Sequence, residues 1–168
     1  MDATLKTSLW RQFGAAIDTR ADAIKACPDS LWMANLWDDA DDPRYGQFWH
    51  LAYHTLSWLN LYLTSSAEGF APPPPFVRGA LPETPYTKAQ INTYLKHCRQ
   101  KCQTVIQALT DEQAYRICRF SWMEPTFLEL QLYCMRHVQE HAAHMHLFLG
   151  GQGVPVSDWI SKARDQQE

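Results

Sequence analysis

The sequence predicts an all-α protein, a four-helix bundle with long crossover loops. Three observations lead there. Four segments repeat apolar residues at helical spacing, and none shows a convincing period-two strand pattern. Stretches rich in Pro, Gly and Asp separate the segments. With 168 residues, 46% of them hydrophobic, and seven each of Trp, Tyr and Phe, the chain reads as one domain over 1–168 with a real core.

The first helix is expected over 4–26. Leu5, Leu9, Phe13 and Ile17 recur every fourth residue, Ile24 continues the pattern, and Pro28 ends it. In the Asp- and Trp-rich loop that follows, Trp32 and Trp37 are expected to pack down as anchors. The second helix is expected over 47–63, with Asp42 and Pro43 as its start signals. Four successive prolines, Pro72 to Pro75, come after it. They lack N–H groups and push their predecessors toward extended backbone, so the run reads as a stiff polyproline-type connector.

The third helix starts behind Thr87 as N-cap and runs to about Leu109. Its stripe is Leu95, Cys98, Cys102, Val105, Ile106 and Leu109. A short helical turn is expected in 110–125. The fourth helix has the clearest start, because Thr126 and Glu129 match a capping box behind Pro125. Its end is assigned to Gly150 as a left-handed cap. A short helix is expected from Ser157 onward.

The bulk numbers exclude several classes. Net charge is −3 and no basic run exists, so nucleic acid is not an expected partner. No apolar stretch reaches the roughly 18 residues of a spanning helix, and "MDATLKTSLW" lacks the apolar core of a signal peptide. No membrane association and a cytoplasmic location are expected. The five cysteines, Cys27, Cys98, Cys102, Cys118 and Cys134, show no zinc-ribbon pairing and read as free thiols.

The histidines are the informative residues. "RHVQEHAAHMH" holds four in eleven residues, and "FWHLAYHTLSW" holds two. A helix turns about 100° per residue. With His137 at zero, His141 lies at about 40° and His144 at about −20°, on the stripe of Leu130, Cys134 and Phe148, whereas His146 falls on the opposite side. With His54 at zero, His50 lies at about −40° and Trp58 at about 40°, on a stripe continued by Leu61. Imidazoles set into two core-facing stripes need partners, since burying an unpartnered polar group costs about 1–3 kcal/mol. A divalent metal resolves this, because neutral imidazole is a good ligand for zinc, nickel or iron. Two histidines at i and i+4, with a third from a facing helix, make a site with positions left open. Spacing alone does not choose between His54 and His50.

"FWHLAYHTLSWLNLYL", followed after a long connector and another helix by "LYCMRHVQEHAAHMHLFLGG", resembles the DinB/YfiT-like superfamily over nearly the whole chain. The resemblance implies a bundle of up-up-down-down type with a divalent metal in a cleft at one end. It implies His54, His137 and His141 as ligands, with His50 the alternative. His144 stands where many relatives have Gln, which makes it a candidate fourth donor or outer partner. His97 and His146 read as surface or packing residues. Trp58 and Cys134 are candidate pocket residues, with core packing the simpler reading of Cys134.

No catalytic side chain is assigned. A three-histidine site can activate water, polarise a carbonyl, or hold a thiolate. The resemblance implies a metal-dependent enzyme on small molecules, with a low-molecular-weight thiol as partner and thiol transfer as the preferred reaction. A metal-dependent hydrolase and a non-catalytic, metal-stabilised structural or stress-related protein are the alternatives. A homodimer is compatible with the many aromatic residues.

Overall fold

The computed structural model describes residues 1–165. The main helices are α1 (Ala3–Ala26), α2 (Phe48–Tyr62), α3 (Lys88–Ala108) and α5 (Phe127–Gly151), with the short α4 (Asp111–Tyr115) before the last. Among the described residues there are isolated bridges and no strand. α1 packs on α5 and α3, and α2 packs on the same two helices from the other side. The core runs between all four, through residues such as Phe13, Ile17, Phe48, Leu56, Ile91, Ile106, Leu130 and Val138.

Contacts fix the helix directions. The end of α1 meets the end of α5, where the ring of His146 donates to the Thr19 carbonyl. Phe48 meets Phe148 and Tyr62 meets Tyr133, so α2 runs against α5. Leu56 meets Cys98 and Asn60 meets Lys101, so α2 and α3 run the same way. The order is therefore up-down-down-up, which corrects the up-up-down-down arrangement. The reason lies in the connectors. Residues 27–47 turn back at one end of the bundle through two 3-10 helices, Asp29–Leu31 and Pro43–Gly46. Residues 63–87 run the length of the bundle, returning the chain to the end where α2 began.

Side chains and loop carbonyls set the helix starts. Asp2 accepts from Leu5 N at the head of α1. Full capping boxes form at Thr87 with Gln90 and at Thr110 with Gln113. At α5 only half of one forms: Thr126 accepts from Glu129 N, without the return bond expected from Glu129. Asp42 and Pro43 start the second 3-10 helix rather than α2. The first turn of α2 is satisfied by the preceding loop, with Phe48 N on Ala34 O and Trp49 N on Trp32 O, each at 3.0 Å. Trp32 packs down as expected and donates to Tyr86 O at 2.9 Å. Trp37 does not; it lies 40% exposed at the mouth of a cavity.

Three further expectations are corrected. The proline run does not continue as an extended helix, because Phe76 N bonds Pro73 O and the chain turns there. α5 continues through Gly150 to Gly151, and Gly153 takes the left-handed conformation at φ +73°. Val154 N then closes on Leu149 O at 2.9 Å, which caps the last carbonyls. Residues 157–165 form no helix. They lie along α1, where Ala163 N bonds Arg11 O and Arg164 makes a two-pronged pair with Asp22. The last three residues of the expected tail helix lie outside the described residues.

Candidate metal centre

α2 and α5 cross where both carry histidine. His54, His137 and His141 each present one ring nitrogen, and these three atoms lie within 4.8 Å of one another. The rings of His137 and His141 are one helical turn apart, with Nε2 atoms at 3.0 Å. The His54 ring centroid lies 5.5 Å from each of theirs. All three side chains are half-buried.

The surroundings hold these rings neutral. Burial lowers His54 to about 3, with His137, His50 and Arg20 adding to the shift. Burial lowers His141 to about 3, reinforced by His137, His54, Arg20 and His144. Burial and Arg20 lower His137 to about 4, partly opposed by Glu140. Neutral rings keep lone pairs free at neutral pH. Two nitrogens 3.0 Å apart suit neighbouring positions on an ion with metal–nitrogen bonds of about 2.1 Å. The donor set therefore fits a divalent metal of the zinc, nickel or iron type. The Nδ1 atoms of His137 and His141 are buried without a protein partner, so the rings lack the usual outer hydrogen bond.

Of the other candidate residues, Trp58 joins the site, and His50, His144 and Cys134 lie outside the triad. His50 is outside the triad, its ring centroid 5.8 Å from that of His54. Its Nδ1 lies 3.1 Å from Tyr45 O; a carbonyl only accepts, so Nδ1–H is the donor and Nε2 keeps its lone pair. His144 is exposed, its ring 5.6 Å from that of His141 and 6.4 Å from that of Trp37, and its nitrogens are not among the clustered donors. Trp58 does face the site, its ring 6.2 Å from His54. Cys134 is fully buried beside the third helix and lines neither cavity at the triad, so it is a core residue. Burial also pushes the Cys98 and Cys102 thiols up, so both stay protonated within the core. His97 is exposed.

The triad opens to a cavity of about 500 Å³, to which His54 and His141 contribute. Tyr45, Trp37, Trp58 and Trp122 give it aromatic walls, and Asp39, His50, Ser57 and Arg78 give it polar ones. The return strap closes one side, since the Tyr53 hydroxyl donates to Val77 O and the Tyr86 hydroxyl accepts from Val77 N.

Sequence reasoning missed Arg20, Asp39, Arg78 and Trp122. Arg20 had a signal: it follows Phe13 and Ile17 at helical spacing, on the apolar face of α1. It is fully buried and donates to the carbonyls of Leu51 and Ala52, with Met145 Sδ at 3.7 Å. Burial lowers its pKa to about 9. Asp39, Arg78 and Trp122 lie in loops, whose placement no periodicity reveals.

An all-helical bundle with a histidine cluster between two of its helices is thus the class of protein defined here. A family model of the DinB superfamily matches residues 43–145, a span that includes all three histidines. The chain belongs to the DinB superfamily. The crystal structure of YjoA, a DinB-like protein from Bacillus subtilis, superposes with a TM-score of 0.62 at 16% identity, covering 89% of this chain and 95% of that one. At that identity the likeness is one of fold. No curated protein matches the chain. No helix among the described residues is long and apolar enough to cross a membrane.

Proposed function

We propose that the protein is a divalent-metal enzyme acting on small molecules in the cytoplasm, with His54, His137 and His141 as the metal ligands. The preferred reaction is transfer of a low-molecular-weight thiol to an electrophile. One observation carries this reading: three imidazole nitrogens lie within 4.8 Å of one another, and two of their rings, His54 and His141, line an open cavity. A site with three protein ligands keeps positions for a guest, whereas a structural site is closed by a fourth. His144 lies beside His141, but its nitrogens are not among the three clustered donors.

A divalent ion held by His54, His137 and His141 would supply Lewis acidity there, favouring the thiolate form of a thiol substrate. In the transfer, the thiol loses its proton to water and its sulfur bonds to the electrophilic carbon. The leaving group departs with the electron pair of the bond that breaks. The chain contributes the walls: Trp58 and Leu61 limit water, and Asp39, Arg78 and Ser57 offer polar contacts to substituents. Asp39 Oδ1 accepts from Asp41 N and Asp42 N, which fixes this carboxylate at the cavity wall.

The test is elemental analysis of the purified protein, followed by a screen of thiols against electrophiles. About one equivalent of metal and metal-dependent thiol consumption are expected. Less than about a tenth of an equivalent, with none recovered on titration with zinc or nickel, defeats the metal reading. Full metal with no turnover favours a metal-stabilised binding protein.

A further inference from the structure

The triad borders two cavities. The larger touches His54 and His141; a second, of about 310 Å³, touches His54 and His137. Trp58 and Trp122 line both, with rings edge to face at 5.5 Å. An indole pair thus divides the approach to one set of nitrogens. The two sides differ in chemistry. The larger contains Asp39 and Arg78. The smaller is completed by Tyr62 and Tyr133, and no charged side chain lines it among the described residues. Its rings are already arranged for aromatic contact: Trp58 stacks on Tyr62 at 5.4 Å, and Tyr62 meets Tyr133 edge to face at 5.8 Å.

We propose that the smaller chamber is a separate seat for a planar, uncharged aromatic co-substrate, presented to the triad beside His137, while the polar co-substrate approaches beside His141. The assignment rests on the two-substrate reading above. An apolar cavity of about 150 Å³ holds a benzene ring, so this chamber has room for a substituted ring. Faces and edges of four aromatic side chains favour such a guest. A polar thiol finds no ion pair there and belongs in the larger chamber.

The probe is 2,4-dinitroaniline, an uncharged ring without a leaving group, followed by quenching of tryptophan fluorescence in the full chain with and without zinc. Tyr133→Ala and Trp122→Ala alter exposed positions, at 44% and 47% exposure, so the bundle is expected to fold in both. Each is expected to weaken the probe about five- to tenfold, whereas Arg78→Ala leaves its affinity within about twofold. Saturating L-cysteine on the zinc-loaded protein is expected to leave probe affinity unchanged, because the seats are separate. Equal probe affinity in wild type and Tyr133→Ala overturns the proposal, as does competitive displacement by cysteine. If zinc does not bind, the metal reading fails, but the metal-free titrations of the variants still decide the chamber.

Discussion

Arg20 donates from Nη2 to the Leu51 carbonyl at 3.0 Å, which fixes a buried guanidinium three residues before His54 in α2. Its other partners are the Ala52 carbonyl and Met145 Sδ, so no carboxylate neutralises it among the described residues. The charge depresses all three triad imidazoles, and it repels a cation in the same way. Arg20→Met keeps most of the volume and removes the charge. Zinc binding should tighten at least about tenfold, because at an effective dielectric of about 20 a unit charge repels a divalent cation by more than about 2 kcal/mol at separations up to about 15 Å. Stability should change little, since apolar replacement of buried charge is often neutral or favourable. A competition titration with a chelating dye measures the first effect and thermal unfolding the second. Unchanged or weaker zinc affinity contradicts the electrostatic account.

The ligand assignment predicts an uneven response among six histidines. His54→Ala, His137→Ala and His141→Ala should each reduce bound zinc from one equivalent to about a tenth or less under the same dialysis, because two neutral ligands hold zinc poorly. His144→Ala and His97→Ala should retain it, being outside the cluster. His50→Ala should also retain metal and weaken ligands of the larger cavity, which it lines. Loss of zinc from His144→Ala with retention in His54→Ala would reverse the assignment.

The same imidazoles make the metal-free protein sensitive to acid. Their folded-state values are about 3, 4 and 3 for His54, His137 and His141, against an ordinary value of 6.5. Between those limits the unfolded chain binds protons that the folded chain refuses. Stability therefore rises with pH across the window, is fully present above about 6.5, and is lost as pH falls toward 4. Thermal unfolding of the metal-free protein should show Tm declining steadily from pH 7 to pH 4.5. Replacing His54 and His141 together with Gln should flatten that slope. A wild-type Tm constant over this range counts against buried neutral histidines.

Much of this centre is legible in the sequence, for a geometric reason. A helix converts sequence spacing into angle, so His137 and His141 had to share a face. The apolar neighbours Leu130 and Phe148 showed which face that was. His54 against His50 was not decided by spacing, because both sit within one turn of the same stripe. The choice depends on how α2 slides along α5 and on Tyr45 O capturing the His50 ring, and both are tertiary facts. Helix direction was illegible for a similar reason. Only contacts reveal that 63–87 runs back along the bundle while 27–47 turns at its end. The proline run misled because four rigid φ angles do not prevent a turn. Gly150 misled because a glycine can lie within a final helical turn when a later one, Gly153, takes the cap.

The tail supplies a stability test independent of the metal. Asp18 on α1 is buried, accepts from Arg99 Nε at 2.7 Å on α3, and accepts from Arg164 N at 2.7 Å in the tail. Arg99 in turn donates to Arg164 O. One carboxylate thus ties two helices to the returning segment. Gly14 leaves the space that Ala163 fills: a Cβ built there would lie 2.4 Å from that of Ala163. Asp18→Ala strands the Arg99 charge in a largely buried position and should cost about 3 kcal/mol by denaturant unfolding. Gly14→Val should displace the tail and expose the same network, with a smaller loss of stability and faster proteolysis beyond Val156. Zinc stoichiometry should stay at one equivalent in both, because the triad is held by α2 and α5. A stability loss confined to Gly14→Val, with Asp18→Ala unchanged, would place the clasp in packing alone and remove the carboxylate from it.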